Sequence, residues 1–369
     1  MVERSTPPDP SSGKRVAFVG YDLDRDGGEA RELMNLARGL KSLGFDPVAY
    51  SLYASADVRS EYARLSLELR TVQAALSRRD RWGMMTYDPR LASRLGRLIR
   101  SAPPCEVYIV AQDAALPMVR EELPGRKVYQ SNGDLSLLLL DPGFRQRHGL
   151  AGWWLSRGFV PSVQRHSELA REFDAVTANS EFTKAVISFL YDCAVDGVVY
   201  PPVDVAHFAP GTNARATPLY ALTLLKSTAE PAFRTACALA SRTRLHVVGR
   251  AAVPGAENLG RVDDARLVEE YRQAGLTVSA SFREFYGYPI VESLACGTPV
   301  LAYDQGGAHE ILQDGGNGWL ARDQSELVAL AAQHLTEVVP ETMRSACVAS
   351  AQRFSIEASA RELVRILGL

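Results

Sequence analysis

Two glutamates stand eight positions apart in F282-R-E-F-Y-G-Y-P-I-V-E-S-L-A-C-G297, Glu284 before a turn and Glu292 beyond it. Gly287 suits the turn, and Pro289 suits a first helical position, where no amide hydrogen is needed. The spacing predicts a helix from Pro289 to Cys296 that stops at Gly297. The mouth of such a helix gathers free backbone amides and a partial positive charge, a setting for a diphosphate. Glu292, in the first turn, would reach a ribose just beyond that phosphate. Glu284 would accept hydrogen bonds from sugar hydroxyls on the other side, so one stretch would grip a nucleotide-sugar at ribose, diphosphate and sugar.

The elements that must carry this stretch alternate along the chain in the manner of parallel βαβ units. Strands are predicted at 15–20, 45–51, 106–111, 127–131 and 174–179, and a helix at 29–44 puts Leu33, Leu36, Leu40 and Leu43 on one face. The proline-rich segment Tyr200 to Pro218 breaks the rhythm and marks a domain boundary. Beyond it strands are predicted at 219–225, 244–249, 276–280 and 299–304, with helices around 231–241, 264–273, 289–296 and 325–335. The loop 281–287 then follows a strand, at the carboxyl edge where doubly wound sheets bind ligands. The expected architecture is α/β, with a disordered leader over 1–14, a Rossmann-like domain over 15–203 and a second over 204–354. The two face each other across a cleft, and a last helix from about 355 to 369 returns to the first domain.

Composition narrows the class. With 369 residues the chain holds two domains of ordinary size, and its net charge of -2 argues against general nucleic-acid binding. Nearly all positive charge is arginine, since only Lys14, Lys41, Lys127, Lys184 and Lys226 are lysines. The five cysteines are scattered singly, with no metal knuckle or CxxC pair, which fits a reduced, cytoplasmic setting. The run L137-L-L-L140 is far too short to cross a bilayer, which takes about 20 apolar residues.

The stretch 282–300 with its continuation Y303-D-Q-G-G-A-H-E-I-L-Q-D-G-G-N-G-W-L320 resembles the nucleotide-sugar site of family-four retaining glycosyltransferases of the GT-B fold. Further pieces match in order: the paired glycines of the loop Asp22–Glu29, A178-N-S-E-F-T-K184, the linker Y200-P-P-V-D-V-A-H-F208, the loop N258-L-G-R-V-D-D and the closing R353-F-S-I. By this resemblance Glu292 holds the ribose and Glu284 the transferred sugar. The amides of Phe285, Tyr286 and Gly287 meet sugar and phosphates, Gly27 and Gly28 let the first loop approach phosphates or acceptor, and Val262 lies near the base. The family's diphosphate clamp, an arginine followed five residues on by a lysine, is altered. Lys226 takes the arginine's place, the second position falls near Pro231, and Arg234 or Arg250 is left to compensate. Gln112 and Asn132 stand where histidines are common. Asn132 can hydrogen-bond a sugar hydroxyl but cannot carry a proton near neutral pH.

Other chemistries weigh less. D22-L-D-R-D26 holds two Asp-x-Asp patterns of the kind that bind a divalent metal, but it belongs to the first domain, away from the donor stretch. The expectation is therefore a metal-independent reaction with no cofactor beyond the co-substrate. The histidines show no ligand spacing. Arg90, Arg94, Arg97 and Arg100 share one face of a predicted helix, which reads either as a sheet-packing helix or as a peripheral membrane contact. The expected function is retaining transfer, by front-face substitution, from a nucleoside-diphosphate sugar to a small molecule of specialised metabolism. A lipid or polysaccharide acceptor at a membrane surface, a nucleotide-sugar epimerase and a non-catalytic nucleotide-sugar binder remain alternatives.

Overall fold

The structure, a computed structural model, describes residues 13–24, 28–133, 149, 157, 159–211, 219–225, 231–281 and 284–369; Gly27 and Lys226 lie outside them. Two parallel sheets organise the chain. The first contains β1 (Arg15–Leu23), β2 (Asp46–Ala54), β3 (Glu68–Thr71), β4 (Val107–Val110), β5 (Arg126–Ser131), β6 (Ala175–Ala178) and β7 (Gly197–Val198), in the order β3-β2-β1-β4-β5-β6-β7. The second contains β8 (Ala221–Leu225), β9 (Leu245–Gly249), β10 (Glu257–Gly260), β11 (Leu276–Ser279), β12 (Val300–Tyr303) and β13 (Gly318–Ala321), in the order β10-β9-β8-β11-β12-β13.

Both faces of the first sheet are covered, as parallel sheets require. Val16 and Phe18 of β1 pack into one core cluster with Leu33, Leu36 and Leu40, while Ala17, Val19 and Tyr21 pack into another on the opposite face. The covering helices of this half are α1 (Gly28–Ser42), α2 (Ala56–Arg64), α3 (Arg78–Met85), α4 (Pro89–Arg100), α5 (Phe159–Ala170) and α6 (Glu181–Tyr191). On α4 the apolar face is buried, while Arg94 bonds Asp80 at 2.6 Å and Arg100 bonds Glu121 at 2.9 Å. The second sheet is flanked by α7 (Pro231–Ala240), α8 (Asp264–Gln273), α9 (Tyr288–Ala295), α10 (Gly307–Ile311), α11 (Gln324–His334) and α12 (Glu341–Ala351).

The last helix, α13 (Ile356–Leu367), buries Ala360, Leu363 and Leu367 in the same cluster as α1. Its entry crosses beside the outward linker, where the Val203 amide donates to the Phe354 carbonyl at 2.8 Å. The chain thus passes between the two halves twice at one place. In each sheet the strand order reverses once, between β1 and β4 and between β8 and β11, and the loops at those carboxyl ends form ligand crevices. Among the described residues no helix is long and apolar enough to span a membrane.

Candidate active site

Helix α9 opens one residue earlier than its sequence predicts. Gly287 is the N-cap at φ 101°, a left-handed conformation that glycine adopts without strain, so Tyr288 leads and Pro289 is second. The proline remains within the first turn, whose amides have no helical partner in any case. The Ile290 amide donates back to the Gly287 carbonyl at 3.0 Å.

Glu292 is almost fully buried, yet neither of its oxygens is idle. Tyr271 of α8 donates its hydroxyl to Oε2 at 2.8 Å, and Arg31 of α1 donates Nη1 to Oε1 at 2.5 Å. Arg31 belongs to the first domain, so this ion pair spans the cleft. Burial works against the charge of Arg31, but the Glu292 carboxylate, with Tyr288 and Tyr271 adding to it, more than offsets this, and the Arg31 pKa is raised. Burial first, and then the same carboxylate, push the Tyr271 hydroxyl far above its ordinary value.

The loop before the helix is braced from below and from across the cleft. The Glu284 carbonyl accepts from the Gly307 amide at 2.8 Å, which ties the loop to the glycine pair that opens α10. Phe285 lies against the first domain: a Cβ on Gly133 would stand 2.5 Å from its ring, and its centroid is 5.8 Å from that of Phe182. Tyr286 is buried among Tyr200, Tyr288 and Phe354 beside the two chain crossings. Its hydroxyl has no hydrogen-bond partner. Gly28 meets Tyr288, whose ring would stand 3.4 Å from a Cβ built there. The close approach that this glycine permits in the structure is therefore to an aromatic ring of the other domain.

The facing wall belongs to the loops after β1, β4 and β5. Gln112 is a strap: Oε1 accepts from the Tyr21 amide at 2.5 Å and the Asp22 amide at 3.1 Å, while Nε2 donates to the Asp22 carbonyl at 2.8 Å and to Glu29 at 2.9 Å. Glu32, one turn along α1, accepts from Gln130 at 3.1 Å and also bonds Asn132. Asn132 donates to the Ala111 carbonyl at 3.4 Å, while its buried Oδ1 has no partner. Burial, reinforced by Asp113, pushes the Glu29 carboxyl up to about 7, and burial with Glu29 nearby pushes Glu32 up to about 8. This wall thus carries carboxyl groups that hold protons near neutral pH.

A second carboxylate bridges the domains. Glu310 of α10 accepts from the amides of Glu181 and Phe182, at 2.9 and 2.6 Å, and from the Tyr200 hydroxyl at 3.0 Å. It sits on the first turn of α6, where the helix dipole favours an anion. Arg250 is exposed just beyond β9, Arg234 is exposed on α7, and Val262 is partly buried beside the second core. No group of three or more His, Cys, Asp or Glu poised for a metal occurs among the described residues, although Asp26 is not one of them. Arg31, Tyr271, Glu29 and Glu32 escape sequence reasoning because nothing in their spacing points to one another or to Glu292. The one available signal is that Glu29, Arg31 and Glu32 follow closely on the glycine pair.

Comparison with known proteins agrees with this geometry. Residues 255–353 match the family model described as glycosyl transferases group 1. A D-inositol 3-phosphate glycosyltransferase of Segniliparus rotundus is 31% identical over 258 residues, covering 57% of this chain and 56% of the relative. The chain spans about half or less of the length of the curated relatives it matches. Sucrose-phosphate synthase from Thermosynechococcus elongatus superposes with a TM-score of 0.76 at 14% identity, over 96% of this chain and 98% of the other. The HepE protein of Anabaena in complex with UDP-glucose superposes with a TM-score of 0.70 at 16% identity, over 96% and 99%. The family match covers the stretch that carries Glu284 and Glu292, and the superpositions cover both sheets, so the chain has the GT-B fold and its second domain is similar to the group 1 glycosyltransferases.

Proposed function

We propose that this protein transfers a sugar from a nucleoside-diphosphate sugar to a small hydroxylated acceptor, with retention of configuration. The observation that carries the proposal is Glu292 of α9, paired with Arg31 of the first domain across the cleft, with Glu284 in the loop that enters the same helix. Glu292 receives the ribose hydroxyls, Glu284 orients the transferred sugar, and the amides of Phe285, Tyr286 and Gly287 meet the sugar and the diphosphate. Lys226 and Gly27 lie outside the described residues; we assign Lys226 to the phosphates and Gly27 to the phosphates or the acceptor, with Arg250 as a second cation near the carboxyl edge of the second sheet.

In the proposed reaction the acceptor oxygen attacks the anomeric carbon from the face that the diphosphate leaves. The departing phosphate oxygen takes the acceptor's proton as the new bond forms, so no enzyme nucleophile is required. The entry-loop amides offset the charge that develops on the leaving group. We propose that no metal takes part and that the reaction occurs in the cytoplasm. The bound UDP-glucose of the Anabaena neighbour favours a uridine donor, and the inositol phosphate in the relatives' name favours a polyol acceptor.

Calorimetric titration with UDP and GDP tests the donor site. Binding to the wild type together with loss of at least about tenfold in Glu292→Ala is expected, from the cost of one charged hydrogen-bond acceptor. Equal binding by wild type and variant refutes the assignment.

A further inference from the structure

The donor-side carboxylate is held from both domains at once. Tyr271, on the same domain, occupies one position on Oε2 of Glu292, and Arg31, from the other domain, occupies one on Oε1. The Arg31 guanidinium is fixed in its turn by aromatic rings, lying 4.8 Å from the Tyr288 centroid and 5.3 Å from that of Phe208. Such stacking orients a planar guanidinium and leaves its N–H edge for the carboxylate.

A carboxylate has about four lone-pair positions on its two oxygens, so one remains on each oxygen of Glu292 after Tyr271 and Arg31 are counted. Two neighbouring ribose hydroxyls need that many. We propose that Arg31 is a positioning residue for the donor: from across the cleft it orients the Glu292 carboxylate and balances its charge, so the grip on ribose is complete only while the domains are docked. This rests on the reading of Glu292 as the ribose ligand. Donor affinity and domain docking are then linked, and each strengthens the other by the same factor. Tyr271 cannot replace the arginine, because a neutral hydroxyl from the same domain neither balances the charge nor senses the other domain.

The test compares a nucleoside diphosphate with its 2′,3′-dideoxy form, by calorimetry on the full chain, using UDP or GDP according to which binds the wild type more tightly. The wild type should favour the hydroxylated form by about tenfold or more, the worth of hydrogen bonds to a charged acceptor. Arg31→Gln should bring that ratio to within about twofold of unity while affinity for the dideoxy form changes little. Arg31→Lys, which restores charge without the fork, should give an intermediate ratio. It also carries the comparison if Arg31→Gln fails to fold. A ratio in either variant equal to or above that of the wild type overturns the inference, because the ion pair is then something ribose must displace. A wild type that does not distinguish the two nucleotides overturns the reading of Glu292 itself, and this inference with it.

Discussion

Glu32→Gln removes a titratable group from a buried part of the first domain's cleft wall and nearly preserves its shape. The carboxyl is wholly buried, accepts from Gln130, and faces Glu29 on its own helix and the tyrosines Tyr286 and Tyr288 across the cleft. Burial, with Glu29 adding to it, moves its pKa from 4.5 to about 8. Below pH 4.5 both folded and unfolded chains hold the proton and the group has no effect on pH dependence. Between about 4.5 and 8 the unfolded chain ionises freely while the folded one holds its proton, so stability is lost as pH rises through this window. At 1.36 kcal/mol per pH unit, the loss is on the order of 3–5 kcal/mol by pH 9. The amide of glutamine does not titrate, so the variant should match the wild type near pH 5 and exceed it by that amount near pH 9. Urea unfolding at pH 5, 6, 7, 8 and 9, followed by circular dichroism, measures the difference. A gap between the two proteins that stays constant with pH would refute the reasoning, since it would mean that Glu32 is ionised in both states throughout.

Two further perturbations probe the seam between the domains. Glu310→Ala removes the acceptor for two first-turn amides of α6 and for the Tyr200 hydroxyl. It should cost about 1–3 kcal/mol and enlarge the radius of gyration measured by X-ray scattering; an unchanged scattering curve and melting temperature would show that the domains dock without it. Gly133→Ala places a Cβ 2.5 Å from the Phe285 ring at φ 101°, so it should destabilise by about 2–4 kcal/mol. Phe285→Ala in the same chain should recover part of that loss in a double-mutant comparison of urea midpoints, and strictly additive effects would exclude the collision.

By itself the sequence determined the alternation of strands and helices, because parallel strands buried on both faces are short apolar runs and their covering helices repeat with a period near 3.6. Predicted strands such as 276–280 and 299–304 appear as Leu276–Ser279 and Val300–Tyr303, and the predicted helix at 264–273 has those bounds. Edge elements were not legible: β3 and β10 lie at the margins of their sheets and are partly or largely exposed, so Glu68–Thr71 and Glu257–Gly260 carry little apolar signal. The candidate donor stretch was legible because its parts are neighbours along the chain, a turn glycine, an early proline and two carboxylates within a few residues. What only the tertiary structure decided is what those parts meet. Gln112 reads as a cleft residue in the sequence and is a strap in the fold, while Arg31 reads as one arginine among many and reaches a carboxylate 261 positions away. The physical reason is that charge pairing, burial and shifted protonation arise where separate loops converge across a cleft, and local spacing holds no record of that convergence.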